Sequence, residues 1–159
     1  MKGFTLIELL VVVIIMAVLA VTAAPKFINF ESQAKNGVLN EVKAAIQSAA
    51  SMVNAKAILE EKLEKCRGDD SFLSDGIYTC FGYPSAHIDN FRKIINLDSG
   101  LIINTSETNG RRTAIVTFPE YKNSIPWGFN ASDDVYCAVR YHEATANHLY
   151  EIDMLTAGC

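Results

Sequence analysis

The sequence predicts an α+β fold in which a long N-terminal helix packs on an antiparallel β-sheet head. Three observations on its 159 residues indicate this arrangement. An apolar run comes first, a stretch with helical periodicity follows it, and short alternating segments separated by turn residues fill the second half. Because the helix precedes all of the strands, its second part is expected to cover one face of the sheet.

The apolar run extends over residues 4–24 and carries a single charged side chain, Glu8. As a helix, these residues would span ~31 Å, about the thickness of the hydrocarbon core of a bilayer. Lys2 precedes the run, which favours a cytoplasmic N-terminus and an external head. We therefore expect a single membrane pass. The alternative is a cleaved secretory signal, which the short basic start, Glu8 and Pro25 disfavour.

Helical periodicity continues after the apolar run. Neutral amide and hydroxyl side chains lie opposite the apolar residues, which favours a helix face packed on the head over one lying on lipid. Pro25 removes a backbone donor and is expected to kink or loosen the helix without ending it. We predict one interrupted helix from about Phe4 to about Lys56, with an end as late as Leu63. Its buried face is predicted to contain Phe27, Ala34, Val38, Val42, Ala45, Ile46, Ala49, Met52 and Val53.

The head is predicted to contain a short helix and several strands after Cys66. Asn109-Gly110 is a hairpin signal, because both residue types tolerate positive φ. Apolar and polar residues alternate near Tyr141, as expected of a half-buried strand. The helix is predicted over residues 86–97 and the strands over 77–81, 101–104, 113–118, 135–141 and 148–154.

Charge and composition exclude several classes of function. The formal net charge is −4, and the residues after Cys66 include twelve acidic and seven basic side chains without a basic cluster, so no nucleic-acid partner is predicted. Cys137 and His142 alternate onto opposite strand faces and the thiol is expected to be oxidised, so no catalytic residues are assigned. The acidic loops lack EF-hand spacing. We predict no metal, no cofactor and no enzymatic activity.

Gly3-Phe4-Thr5-Leu6-Ile7-Glu8, followed by the apolar run and Pro25, resembles the class III signal and first helix of type IV pilins and pseudopilins. The resemblance implies that a prepilin peptidase cuts after Gly3 and methylates the new terminal amine of Phe4. It also implies that Glu8 meets the terminal amine of a neighbouring subunit during assembly. Such pairing would neutralise two charges that an apolar environment penalises.

The resemblance is strongest over residues 1–55 and thins over the head. The N-terminal segment together with "CAVRYHEATANHLYEIDMLTAGC" is similar to pilins of the mannose-sensitive haemagglutinin type. The resemblance implies a C-terminal pair of Cys137 with Cys159. It also implies four segments: a leader at 1–3, a transmembrane or fibre-core half-helix at 4–25, an amphipathic half-helix at 26–56 and a globular head at 57–159.

The four cysteines form an even set without C-x-x-C spacing, which favours disulfides in an exported head over a zinc or redox site. Four cysteines allow three pairings. We favour Cys66 with Cys80 and Cys137 with Cys159, because each bridge closes a local loop across an expected turn. Each would contribute about 3 kcal/mol in the chain-entropy model.

The resemblance implies a structural role. The chain would enter the bacterial inner membrane as a prepilin and then join a homo-oligomeric helical filament, an extracellular pilus (fimbrium) used for attachment or related surface functions. Its partners would be the prepilin peptidase, an inner-membrane assembly platform and minor pilins. One alternative is a pseudopilin of a type II secretion system. Another class is a ligand-binding adhesin or DNA-uptake module, for which the sequence indicates no basic or aromatic groove.

Overall fold

A computed structural model describes residues 4–68, 71–97, 100–108, 110–124 and 136–159. For residues 23–29, 108 and 122–124 the description covers the backbone alone. The predicted α+β fold is confirmed. The elements are α1 (Leu6–Leu59), β1 (Thr79–Cys80), β2 (Tyr83–Pro84), α2 (Ile88–Ile94), β3 (Ile102–Thr108), β4 (Arg111–Thr117), a 3₁₀ helix (Pro119–Ser124), β5 (Ala138–His142) and β6 (Glu151–Leu155).

The main sheet is an antiparallel meander of four strands in the order β3-β4-β5-β6. Ala114 of β4 lies opposite Tyr141 of β5, which in turn lies opposite Ile152 of β6. A separate two-stranded ribbon joins β1 and β2. Gly110, at the β3–β4 turn, has φ of 78°, a backbone conformation that glycine adopts without steric cost.

The core lies between the second half of α1 and the sheet. On the helix side, Leu39, Ile46 and Val53 are each at most 3% exposed. On the sheet side, Val139 and Tyr141 are fully buried, and α2 adds a tilted ring contact between Phe91 and Tyr141 with centroids 5.1 Å apart. The predicted alternation of this strand is confirmed: Arg140, between Val139 and Tyr141, is partly exposed, and so is His142, which follows Tyr141.

The buried face of α1 is rotated from the predicted one. Ala34, Val38 and Met52 are exposed, whereas Leu39, Ala50 and Ala57 are buried. The sheet covers an arc of the helix centred near Ile46, and the three exposed residues lie on the neighbouring arc. The spacing of apolar residues therefore predicted the helical period correctly, but it placed the buried face partly on the exposed side of the helix.

Helix α1 is continuous through Pro25. It ends at Leu59, between the predicted ends at Lys56 and Leu63. Glu61 closes the helix in a left-handed conformation, with φ of 57°. The next residue, Lys62, donates its backbone N–H to Ala57 O at 2.8 Å, which satisfies one of the last carbonyls of the helix.

Several boundaries in the head differ from prediction. β3 extends to Thr108 because it pairs with β4 over its whole length. β6 begins at Glu151, since His148 lies in a turn that Thr145 N closes on His148 O at 2.8 Å. β5 begins at Ala138, and the 3₁₀ helix after β4 was not predicted.

Two disulfides join the cysteines in the pairs favoured from the sequence. The Cα atoms of Cys66 and Cys80 are 3.8 Å apart, and those of Cys137 and Cys159 are 4.8 Å apart. The first bridge links the segment after α1 to β1. The second attaches the C-terminal residue to the segment that enters β5.

Candidate assembly segment

The first turn of α1 is closed by a reciprocal pair of side chains. Thr5 is the N-cap, and its Oγ1 accepts from Glu8 N at 3.4 Å. Glu8 Oε2 accepts from Thr5 N at 2.9 Å and from Thr5 Oγ1 at 2.8 Å. This capping box satisfies backbone donors that an α-helix leaves free at its start. It holds the carboxylate of Glu8 at the N-terminal end of the helix.

The position of Glu8 bears on the predicted processing site. Its carboxylate contacts the residue that directly follows Phe4, so it lies at the end of the helix where a cut after Gly3 would create an amine. Gly3 itself lies outside the described residues, as does the side chain of Pro25. No role for Thr5 was predicted from the sequence, although the T-x-x-E spacing is a capping-box signature.

The first half of α1 exposes its apolar side chains on every side. Phe4 is 86% exposed, and each large aliphatic residue from Leu6 to Val21 has at least 45% of its surface exposed. Monomeric soluble proteins rarely expose contiguous apolar patches of more than a few hundred Å². This half of the helix is therefore a surface that other molecules must cover.

Within the part of the chain that the structure describes, no helix combines the length and the hydropathy needed to cross a membrane.

An exposed apolar stripe continues along the second half of α1. Phe30 is 73% exposed, Val38 38% and Met52 65%, and Ala34 is also exposed. At ~100° per residue these four positions fall within an arc of about 80°. The stripe lies beside the buried face, so the head covers one side of the helix and leaves this adjoining side free within the described structure.

Lys35 of α1 contacts the segment after β4. Its Nζ lies 2.9 Å from carboxylate oxygens of both Glu31 and Glu120, and 5.6 and 5.9 Å from the ring centroids of Tyr121 and Phe118. Hydrogen bonds to Glu120 and Glu31 hold the pKa of Lys35 above its ordinary value. The same ammonium therefore makes ion-pair and cation–π contacts between the helix and the head.

Glu143 is a buried charged residue of the head that no sequence pattern had singled out. Its side chain is 1% exposed and accepts from Ser85 Oγ at 3.0 Å, Ala86 N at 3.1 Å and Arg112 N at 3.0 Å. It also forms an ion pair with Arg67. A buried carboxylate is stable only with such partners, and here they come from three separated segments.

Arg67 extends this network to the surface, where its Nη1 lies 2.9 Å from Glu107 Oε1. Arg112 Nε donates to the other oxygen of the same carboxylate at 3.0 Å. Hydrogen bonds from Arg67 and Arg112 lower the pKa of Glu107. A single acidic residue just after a strand carries no sequence signal for a buried role, so Glu143 could be found only from the fold.

The cysteines and His142, which could in principle carry chemistry, have partners within the head. Cys137 is bonded to Cys159, and His142 lies between Thr113 Oγ1, at 2.9 Å, and Asp153 Oδ2, at 3.1 Å. Among the described residues, the one grouping of possible metal ligands consists of Cys66, Cys80 and Glu143. Its two sulfurs are joined in a disulfide, so they are not thiolates that could bind a metal.

Comparison with known families identifies the N-terminal segment. Residues 1–24 match the family described as "Prokaryotic N-terminal methylation motif". This match covers the candidate cleavage site, the capping box and most of the exposed apolar run. No solved structure matches the chain.

A curated relative is similar to part of the chain. The chain is 38% identical over 56 residues to the "Type IV narrow pilus major component PilA5" of Thermus thermophilus. The aligned stretch is 35% of this chain and spans about half of the relative, 48% of its length. The methylation motif and this similarity together make the chain type IV pilin-like. The narrower resemblance to mannose-sensitive haemagglutinin-type pilins stays a prediction.

Proposed function

We propose that this type IV pilin-like chain is the structural subunit of a cell-surface pilus. The chain would be inserted in the inner membrane as a prepilin, cut after Gly3, methylated on Phe4 and polymerised through α1 into an extracellular filament. The observation that carries the proposal is the exposed apolar surface of α1, which lies directly after the N-terminal methylation motif.

The exposure pattern of α1 supports assembly through the helix. Apolar surface left in water is unfavourable by roughly 25 cal/mol per Å², so the first half of α1 needs lipid or other helices around it. A helix that is apolar on every side fits a membrane first and the centre of a fibre later. The stripe of Phe30, Ala34, Val38 and Met52 gives a neighbouring subunit further contact beyond that centre.

The capping box supports a specific role for Glu8. Thr5 already holds the carboxylate at the end of the helix where processing would place a cation on Phe4. Pairing of that cation with the Glu8 carboxylate of an adjacent subunit would neutralise both charges inside the fibre. Because the two groups must come together, the pair would also set the axial position of one subunit relative to the next.

The two disulfides support an external head, since such bonds persist in oxidising compartments outside the cytoplasm. The proposed partners are a prepilin peptidase, an inner-membrane assembly platform and minor pilins, with further copies of the chain forming the homo-oligomeric filament. A pseudopilin of a type II secretion system would have the same processing and the same helix. It would differ in forming no long external filament.

Mass spectrometry of sheared surface filaments tests the processing step. We expect the mature chain to begin at methylated Phe4. A chain beginning at Pro25 would instead indicate an ordinary secreted protein and would overturn the proposal. Electron microscopy of cells with and without the subunit distinguishes a pilus subunit from a pseudopilin, because only a pilus subunit is expected to be required for a long external filament.

Substitution of Glu8 tests the assembly step. We expect Glu8→Ala to insert in the membrane normally but to lose filament assembly or N-methylation. Glu64→Ala is the matched control, since it removes an exposed carboxylate that lies after the end of α1. Normal filaments built only from the Glu8→Ala chain would contradict the proposed pairing.

A further inference from the structure

A cavity of about 390 Å³ opens on the surface of the head, lined in part by Arg67 and Gly68, which directly follow Cys66 in the chain. Its lining includes Arg67, Tyr78, Ser85, His87, Asp89 and Arg112. The volume falls within the range of small-molecule sites. We propose that this cavity binds a sugar that carries a carboxylate. The proposal goes beyond the structural role of the chain and does not depend on polymerisation.

Arg112 supplies the group that would bind the carboxylate. Its backbone N–H is fixed on Glu143, and its Nε donates to Glu107 at 3.0 Å. The described contacts of this side chain involve Nε alone, which leaves its two Nη groups available at the cavity. Two parallel N–H donors match the two oxygens of a carboxylate, and such bidentate pairs are stronger and more specific than single contacts.

Tyr78 supplies an apolar face beside this arginine. The residue is 42% exposed, and its ring contacts Phe72 with centroids 4.6 Å apart and faces His87 at 6.4 Å. One face of a pyranose carries mainly C–H groups, which pack on an aromatic ring and are thereby removed from water. An exposed ring next to a charged donor therefore suits a sugar better than a wholly polar anion.

The backbone of Tyr78 is held in place before any ligand arrives. Buried Asn90 accepts from Tyr78 N at 3.0 Å and donates to Tyr78 O at 2.7 Å. Ser85 N donates to the same carbonyl at 2.9 Å. A site fixed in this way loses little conformational freedom on binding, which favours affinity.

The remaining charges around the cavity disfavour a doubly charged ligand. Arg67 is already paired with Glu143 and Glu107, so it adds little free positive charge. Asp89, an exposed carboxylate at the rim, would repel a doubly charged phosphate but can accept from a sugar hydroxyl. The exposed imidazole of His87 offers a further polar contact.

Binding to the full-length chain in detergent micelles tests the proposal. The probes are glucuronate, galacturonate and N-acetylneuraminate, with glucose and inorganic phosphate as comparisons, measured by ligand-detected NMR and calorimetry. We expect at least one acidic sugar to bind about tenfold more tightly than glucose or phosphate. Failure of all three acidic sugars, or equal affinity for phosphate or glucose, would overturn it.

Variants assign the binding to the cavity. Arg112→Gln is expected to weaken the acidic sugar about tenfold or more, and Arg112→Lys should fail to restore it, because lysine lacks the two-donor fork. Arg92→Gln, an exposed arginine of α2 outside the lining, is the matched control. Unchanged affinity of Arg112→Gln, or full affinity of Arg112→Lys, would contradict the assignment.

Tyr78→Ala is a second variant that keeps the arginines intact. It should weaken the acidic sugar while the near-ultraviolet circular dichroism of the rest of the head is retained. If Tyr78→Ala impaired filament assembly and left sugar affinity unchanged, the aromatic surface would be a contact between subunits and the proposed site would be wrong.

Discussion

The two halves of α1 share one continuous helix but differ in what surrounds them. In the first half, the large aliphatic residues from Leu6 to Val21 are exposed. In the second half, Leu39, Ile46 and Val53 are buried against the head. The two halves of this helix are therefore not stabilised by the same packing contacts. The second half is stabilised by its own chain, whereas the first half depends on molecules outside it.

Charged residues differ in a similar way between the first half of α1 and the head. Glu8 has a local partner three residues away, and its surroundings are open to another subunit. Glu143 has partners from three segments and is 1% exposed. Substitutions in the first half of α1 should therefore change assembly, and substitutions in the head should change the free energy of unfolding.

The largest effect on stability is expected from Glu143→Ala. This change leaves Arg67 and several backbone donors without their buried acceptor, which should lower the free energy of unfolding by about 3–5 kcal/mol. Thermal and urea unfolding of the full-length chain in detergent, followed by near-ultraviolet circular dichroism, measures the loss.

Glu143→Gln is the matched control for that change, because it keeps a side-chain oxygen and nearly the same volume. It should lose less stability than Glu143→Ala. A destabilisation of Glu143→Ala below about 1 kcal/mol, the ordinary scale of a single hydrogen bond, would show that the network does not hold the head together.

Removal of the C-terminal disulfide should have the next largest effect. The bridge closes a chain separation of 22 residues, and its loss in Cys137→Ser/Cys159→Ser should cost about 2–4 kcal/mol. The same unfolding measurement reports the change. Equal stability of the variant and the parent chain would mean that packing alone keeps the C-terminus in place.

A smaller effect is expected from pH. Burial lowers the pKa of His142 below 6.5, although Asp153 opposes this shift. Near that pH the unfolded chain binds more protons than the folded chain, so stability is complete above pH 6.5 and declines as the pH falls toward the folded pKa.

Unfolding measured from pH 7.5 to 5.5 tests this sign. His142→Gln should flatten the decline, and the lowered pKa of Glu107 should contribute only at more acidic pH, below 4.5. An unchanged slope in His142→Gln would assign the pH dependence to other groups.

The smallest effect on head stability is expected from Val13→Ala. Val13 is 57% exposed and lies in the first half of α1, so the free energy of unfolding should change by less than about 0.5 kcal/mol. Filament yield and unfolding are measured on the same variant. A large loss of head stability would contradict the separation between the two regions.

The sequence predicted features that local patterns determine. Apolar periodicity identified α1, alternation near Tyr141 identified β5, and the local spacing of the cysteines favoured both observed pairs. These features depend on residues close together in the chain. The α+β fold followed because the helix and the strands occupy separate parts of the sequence.

Features that depend on distant segments were not predictable in this way. Glu143 is buried because Ser85, Ala86, Arg67 and Arg112 converge on it, and no pattern around residue 143 encodes that convergence. Val38 and Met52 have suitable spacing for a buried face, but the sheet covers the adjoining arc. The exact side of a helix that is covered depends on tertiary packing.

The C-terminal disulfide has a mechanical consequence for a subunit under tension. Strand β6 lies at the edge of the sheet, where a free end would allow its hydrogen bonds to break one after another. The bond between Cys159 and Cys137 ties that end to the segment entering β5. The β5–β6 pair is therefore closed at both ends, by its connecting loop and by the disulfide, so it cannot open from the chain end without breaking the bridge.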